Sequence, residues 1–412
     1  MGAVKFLPVE EQLAIIRARV EEIVPEEDLR KKLERSRATG TPLRVKQGFD
    51  PTAPDIHLGH TVGLMKCAEF QRLGHQIVLI VGDYTAQVGD PSGVSETRRR
   101  LSPEEVKRHA ATYLEQYGKI VDLPRAEIRW NGEWFGKMAF GDVMQLASQF
   151  TVAQILERDD FAKRYAAGKP ISLHECFYVA MQAWDSVMVK ADVELGATEQ
   201  KFNFLAARAL QKAHGQEPQV ALTVPVLVGT DGTERMSKSK GNYIGVAEAP
   251  DQQFGKVMSV PDSALPQWFA MLSALPPAEQ QRLLGPGVNP RDAKEALGKI
   301  LVARFHGAAA AESAAAGFRR QFSDGQLPEE IPDVAVPESF FSASLVARGL
   351  VSTVAGVSGQ EAARLLAQGG VTIVRGPTTI ALPGQPSDAV VLQDGDILKV
   401  GKRRYFRLRR AR

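Results

Sequence analysis

Two cysteines in 412 residues, Cys67 and Cys176, are too few for a disulfide framework or a four-cysteine zinc site. Their simplest role is buried packing. Long apolar runs are missing too. Stretches such as Ile77 to Val81 fall far short of the ~20 residues that cross a bilayer. The opening residues carry no basic-then-apolar leader, and Phe6 stands where a myristoylation signal would have Ser or Thr. No internal repeat is visible, and contents of 44% hydrophobic and 24% charged residues exclude disorder, collagen and coiled coil as global descriptions. The expectation is a cytoplasmic enzyme or binding protein of about two to three domains, with no membrane association.

The net charge is small, 51 − 48 = +3, but it is unevenly spread. Lys399, Lys402, Arg403, Arg404, Arg407, Arg409, Arg410 and Arg412 close the chain with no acidic residue among them. Such a block suits nucleic acid, while a solvated, frayed tail is the competing reading.

Helical spacing covers residues 9–40. Leu43 to Phe49 reads as a strand, broken by Pro51-Thr52-Ala53-Pro54, and a helix from Leu58 ends at Gly74. The apolar run Gln76 to Gly82 has the mark of a buried parallel strand. Strand, loop, helix and strand in this order predict a βαβ unit, hence an open α/β sheet. Val193 to Gly196 and Leu222 to Val228 are further strand candidates, and the mostly helical stretch 101–190 reads as an insertion. Residues 250–318 are helical again. Pro328, Pro332 and Pro337 with five acidic residues predict a linker over 323–341. In the compact unit 342–412, Ser358 and Glu361 form a capping box, the helix they start stops at Gly369-Gly370, and Val371 to Arg375 is a strand. Asp396 to Leu408 is a hairpin turning at Gly401-Lys402.

Two local features carry chemistry. Gly48-Phe49-Asp50-Pro51-Thr52-Ala53-Pro54-Asp55-Ile56-His57-Leu58-Gly59-His60 puts two histidines at a helix N-terminus directly after a strand. Backbone N–H groups there favour phosphate oxygens, histidine donors add to them, and Gly59 leaves room for a flat group. Surface histidines are the plainer reading. Arg235-Met236-Ser237-Lys238-Ser239-Lys240-Gly241-Asn242 follows a buried strand and the turn Asp231-Gly232. A mobile loop of this composition can close over a triphosphate, with Arg235 and Lys238 neutralising the leaving pyrophosphate. A solvated basic loop is again the plainer reading. On the helix between them, Tyr178, Gln182 and Asp185 follow an i, i+4, i+7 pattern and share one face, which suits a small polar ligand with distinct ends.

Taken together these motifs resemble the HIGH and KMSKS signatures of class I aminoacyl-tRNA synthetases, in particular the bacterial tyrosyl branch. The likeness runs from about Leu43 to Leu408 and includes Gly89-Asp90-Pro91-Ser92-Gly93 and Gly196-Ala197-Thr198-Glu199-Gln200-Lys201-Phe202-Asn203. It implies an α/β fold with a Rossmann-like parallel-sheet catalytic domain over 1–245. A helical anticodon-side domain over 246–322 and a small α+β RNA-binding module would follow. It also implies a ligase that activates L-tyrosine with ATP and transfers the tyrosyl group to tRNA(Tyr), with Mg²⁺ on the ATP, no protein-bound metal, and a homodimer. By the same resemblance Thr52, His57, His60, Arg235 and Lys238 are catalytic, and Gly48, Asp50, Gly59 and Glu199 join His57, His60 and Lys238 around ATP. Asp185 would accept the substrate phenol, Asp90, Tyr178 and Gln182 would hold its ammonium, and Gln200 would complete the tyrosine site. Lys402, Arg403 and Arg404 would contact RNA phosphates.

Three positions depart from the usual wording. Lys46 sits where many bacterial members have a tyrosine touching the substrate phenol, and looks like the branch worded Lys-x-Gly-x-Asp-Pro-Thr; Ala197 and Glu199 stand where Gly and Asp are usual, and Arg235 replaces Lys, keeping charge but not shape. A small-molecule nucleotidylyltransferase would share the histidine motif but need neither the basic loop nor the basic C-terminus. A synthetase-like paralogue that activates another amino acid, or only binds RNA, is the other alternative.

Overall fold

The computed structural model describes residues 6–91, 102–322, 327, 331–341, 347–376, 378–382, 390–401 and 404–411. The chain divides into two compact units, Met1–Ala315 and Ala316–Arg412.

The first unit is built on a six-stranded sheet of order β1-β6-β5-β2-β3-β4. Its strands are β1 (Glu22–Val24), β2 (Arg44–Phe49), β3 (Gln76–Val81), β4 (Glu127–Trp130), β5 (Val193–Ala197) and β6 (Val220–Val224). All neighbours run parallel except β1, which is antiparallel to β6. Ile77 through Val81 and all of β6 are buried, as strands covered on both faces must be. From β2 the chain winds outward through β3 to β4, then returns through β5 to β6 on the other side. The order therefore reverses between β2 and β5, and a crevice at their carboxyl ends is the expected ligand site.

Helices flank the sheet: α1 (Val9–Arg17), α2 (Glu26–Thr39), α3 (Leu58–Arg72), α4 (Pro103–Tyr117), α5 (Leu173–Val189), α6 (Lys201–Ala213), α7 (Pro250–Met258) and α8 (Pro290–His306). Positive φ at Gly74, +95°, turns the chain from α3 into β3. At the start of α5, Glu175 of the Ser172 capping box is gripped by Arg164 at 2.5 and 3.0 Å, which anchors the helix that carries three of the candidate site residues.

Three sequence expectations need correction. The 9–40 segment is two helices separated by β1, whose three residues are too few to show a period. The 101–190 stretch is not only an insertion, because it supplies the edge strand β4 beside β3. Finally, 323–341 is not a linker throughout. Asp333–Val336, β7, pairs parallel with the last strand, and Val336 and Phe341 are buried. Alternating Val334 and Val336 give this short strand the apolar face that the acidic and proline content obscured.

In the second unit β8 (Val371–Arg375), β9 (Thr378–Ala381), β10 (Ile397–Val400) and β11 (Arg404–Arg410) complete a sheet of order β7-β11-β10-β8-β9. The helices α9 (Ala347–Ala355) and α10 (Gly359–Ala367) pack on it through Leu350, Val351 and Leu366 against Ile373, Leu398 and Leu408. Ser358 Oγ accepts the Glu361 N–H, and β10–β11 is the expected hairpin. The basic C-terminal segment is thus a sheet strand rather than a frayed tail. Lys402 and Arg403 at its turn lie outside the described residues.

Candidate active site

A cavity of about 580 Å³ opens at the carboxyl ends of β2, β3, β5 and β6. Gly48, Asp50, Thr52, His57, Gly59, His60, Asp90, Tyr178, Gln182, Asp185, Glu199, Gln200, Arg235 and Lys238 all line it. Residues from 48 to 238 are far apart in sequence, and the reversal of strand order brings them to one crevice.

At one end sits the histidine pair. His57 caps α3: its Nδ1 accepts the Gly59 N–H at 3.2 Å, while His60 Nδ1 accepts the His57 N–H at 3.2 Å. The rings lie 3.9 Å apart. Burial, the neighbouring histidine and the loop cations push His57 down to about 2, and burial with Lys238 pushes His60 down to about 4. Both rings are neutral at pH 7, and with Nδ1 accepting, each carries its proton on Nε2 as a donor. A Cβ on Gly59 would meet the His57 ring at 3.0 Å, so this glycine also makes space for the cap itself.

The basic loop closes the same end. Asn242 is buried and stitches it: its Oδ1 accepts the Ser237 N–H at 2.8 Å and its Nδ2 reaches the Arg235 carbonyl at 3.0 Å. Lys238 Nζ lies 2.9 Å from Asp55 Oδ1 and 5.8 Å from the centre of the Tyr113 ring. Arg235 pairs with Glu199 at 2.5 Å. Both cations are therefore held by carboxylates at the cavity mouth.

The opposite end is carboxylate chemistry. Asp185 is buried; its oxygens accept Trp134 Nε1–H at 2.9 Å and Asn131 Nδ2–H at 3.3 Å. Burial raises it to about 7 against the pull of Lys46 and these two donors. Tyr178 donates to Asp50 Oδ2 at 2.9 Å, and Thr85 donates to Asp50 Oδ1 at 2.7 Å. Burial and the two nearby aspartates hold the Tyr178 phenol far above its usual range, so it stays a donor. A Cβ on Gly82 would lie 2.1 Å from both Asp50 Oδ1 and Thr85 Oγ1, so the contact exists only because that position is glycine. Asp90 accepts Gln200 Nε2–H at 2.6 Å and pairs with the buried Arg158 at 3.0 Å. Asn203 donates to Gln182 Oε1 at 2.6 Å and to Gln200 Oε1 at 3.0 Å, tying the whole row together.

Sequence reasoning missed Asn131, Trp134, Arg158 and Asn203 as members of this site. The strand-end position of Asn131, next after β4, was the available signal for one of them. Of the remaining candidates, Arg404 lies in the second unit, with Nη1 3.3 Å from the Ala355 carbonyl. Among the described residues no cluster of three or more His, Cys, Asp or Glu is arranged to hold a metal ion, and no helix is long and apolar enough to cross a membrane.

The chain is similar to known proteins. The family described as tRNA synthetases class I (W and Y) matches residues 38–323. The tyrosine–tRNA ligase of Carboxydothermus hydrogenoformans is 48% identical over 98% of this chain and 99% of its own. That of Dehalococcoides mccartyi is 50% identical over 95% and 96%. Among solved structures, the Archaeoglobus fulgidus tyrosyl-tRNA synthetase complexed with L-tyrosine superposes with a TM-score of 0.62 at 24% identity, covering 75% of this chain and all of its own. A C-terminally truncated mitochondrial tyrosyl-tRNA synthetase from Aspergillus nidulans gives 0.62 at 21%, over 76% and 94%. The motifs at both ends of the cavity, the reversed strand order and identity over nearly the full length together make this chain a member of the tyrosine–tRNA ligase family of class I synthetases.

Proposed function

We infer that the chain activates L-tyrosine with ATP, releasing pyrophosphate, and then transfers the tyrosyl group from the adenylate to the terminal adenosine of tRNA(Tyr), releasing AMP. The observation that carries this is the polarity of the cavity: a buried carboxylate at one end, histidine donors with Arg235 and Lys238 of the basic loop at the other.

The substrate's phenol donates to Asp185, whose two protein donors fix the carboxylate's orientation. Asp90, Tyr178, Gln182 and Gln200 surround the ammonium, and the tyrosine carboxylate is thereby aimed at the α-phosphate. Its oxygen attacks phosphorus as the bond to pyrophosphate breaks. No side chain is covalently modified, so the protein's contribution is positioning and charge stabilisation. His57 and His60 donate through Nε2 to phosphate oxygens, beside Gly48, Asp50, Thr52 and Gly59. Arg235 and Lys238 exchange Glu199 and Asp55 for the departing pyrophosphate, and the freed Glu199 faces the ribose. ATP enters as its Mg²⁺ complex, which spreads charge on the triphosphate.

Residues 1–245 carry this chemistry, 246–322 form the anticodon-side helices, and the second unit holds RNA through Arg404 and its neighbours Lys402 and Arg403. Phe140, Met144, Val152, Tyr165 and Leu173 are large apolar side chains exposed within 140–173, and they support a homodimer through that segment. A cytoplasmic location fits an enzyme that consumes ATP and tRNA. Exchange of labelled pyrophosphate into ATP tests the reading: it should require tyrosine, and dependence on tryptophan instead would overturn it.

A further inference from the structure

Lys46 lies on β2 against α5 and lines the same cavity as Gln182 and Asp185. Its side chain and that of Glu194 on β5 are each only 1% exposed, and they pair at 2.8 Å. The same ammonium donates to the Gln182 carbonyl at 2.9 Å and to Ser186 Oγ at 2.8 Å. Residues 182 and 186 are one turn apart, and Asp185 sits between them on that turn. Glu194 is saturated in its own right. It accepts from Lys46, from Gln182 Nε2 at 3.1 Å, from Ser186 Oγ at 3.1 Å and from Gln219 Nε2. A buried pair is weak evidence for stability, because desolvation offsets the attraction, so another reason for it has to be sought.

We propose that Lys46 is a positioning residue for tyrosine selection: anchored by Glu194, it grips the turn of α5 that carries Asp185 and supplies the positive charge against which that carboxylate accepts the substrate phenol. The proposal rests on Asp185 being the phenol acceptor. The charged groups facing Asp185 are Lys46 from β2 and Glu194 from β5, while the 131–134 segment contributes only the uncharged donors Asn131 and Trp134. Lys46 favours the charged form of Asp185 and Glu194 opposes it. A charged acceptor makes a hydrogen bond about twice as strong as a neutral one. Lys46 lines the cavity, but its ammonium is engaged by Glu194, Ser186 Oγ and the Gln182 carbonyl, so it acts through the turn of α5 that carries Asp185.

The opposite signs of the two partners give the test. Tyrosine dissociation constants are measured by equilibrium dialysis from about pH 5.5 to 8.5 for the full chain, Lys46→Met, Glu194→Gln and Asp185→Asn. Lys46→Met should move the midpoint of the affinity profile up by about one pH unit, weakening tyrosine about fivefold at neutrality and up to about tenfold at the acid end, and recovering at the alkaline end. Glu194→Gln breaks the same ion pair but should move the midpoint down, tightening binding several-fold at the acid end. A merely structural role predicts that both variants weaken binding by a constant factor, or shift it in one direction, and either result overturns the proposal. Should Lys46→Met fail to fold, Glu194→Gln, which keeps the side-chain volume, decides alone: a downward shift supports the proposal, no shift or an upward one refutes it. Asp185→Asn should abolish the titration. If it does not, the phenol-acceptor reading itself has failed, an outcome distinct from parallel shifts in the two Lys46–Glu194 variants.

Discussion

Replacing Lys238 by alanine removes one charge from the mouth of the cavity and nothing from its tyrosine end. In the resting protein that ammonium is 2.9 Å from Asp55 and its side chain is one-quarter exposed, at 25%. To act on pyrophosphate it must leave this partner, so only the excess of the new interaction counts towards the rate. A hydrogen bond to a charged group is worth about 1.5–3 kcal/mol net, and the partner already present argues for the lower half of that range. At about 1.4 kcal/mol per decade, Lys238→Ala should slow tyrosyl-adenylate formation about 10–40-fold. Rapid-quench measurement of the single-turnover rate, with tyrosine affinity by dialysis on the same preparation, separates the two effects. Tyrosine affinity should stay within about twofold, since Asp185 and its donors lie at the other end. An equal loss in affinity and rate would refute the reasoning, because it would mean that the loop shapes the whole cavity rather than the transition state. Asp55→Asn supplies the converse check: with the resting partner weakened, the rate should hold or rise.

Other outcomes follow from the same geometry. Trp134→Phe deletes the 2.9 Å donor to Asp185 and should weaken tyrosine about tenfold at unchanged ATP KM, as a lost hydrogen bond to a charged group predicts. On acidification from about pH 6.5 toward 4, the unfolded chain protonates three histidines that the folded protein keeps neutral: His57 at about 2, His60 at about 4 and His75 at about 4. Asp185, raised to about 7, opposes them with one proton held only in the folded state. Three less one leaves two extra protons on the unfolded chain, so stability should fall by up to about 2.7 kcal/mol per pH unit. A thermal midpoint that rises with acid would contradict this. Truncation after Phe322, which spares β7 from being orphaned, should leave pyrophosphate exchange nearly intact and sharply reduce charging of tRNA. Residual RNA affinity should show a shallower salt dependence, by nearly one unit of slope per lost phosphate contact. Collapse of exchange would mean that the second unit supports the catalytic fold.

The parallel core was legible because β3 and β6 are short apolar runs bounded by turn residues, and the motif spacing located both ends of the cavity. Elements held by distant partners were not. β1 is three residues long and owes its existence to β6, nearly 200 positions later. β7 is a strand only because β11 offers it an edge, and its flanking prolines and acids argued for the opposite. The site shows the same division. Asp185 and Gln182 could be read from helix spacing, but Trp134, Asn131 and Arg158 come from outside any motif and join through side-chain hydrogen bonds. Lys46 was visible only as a departure from the expected tyrosine. That its ammonium pairs with Glu194 depends on the register of β2 against β5, where Lys46 lies opposite Glu194.

In this mechanism one buried carboxylate, Asp185, selects the amino acid. The decisive comparison is the ratio of tyrosine- to phenylalanine-dependent pyrophosphate exchange, taken as kcat/KM for the unaltered chain and for Asp185→Asn. The ratio should be large for the unaltered chain and fall by about 10–100-fold in the variant, since phenylalanine leaves the buried carboxylate without its ligand partner and the amide relaxes that penalty. An undiminished ratio in Asp185→Asn would contradict the claim.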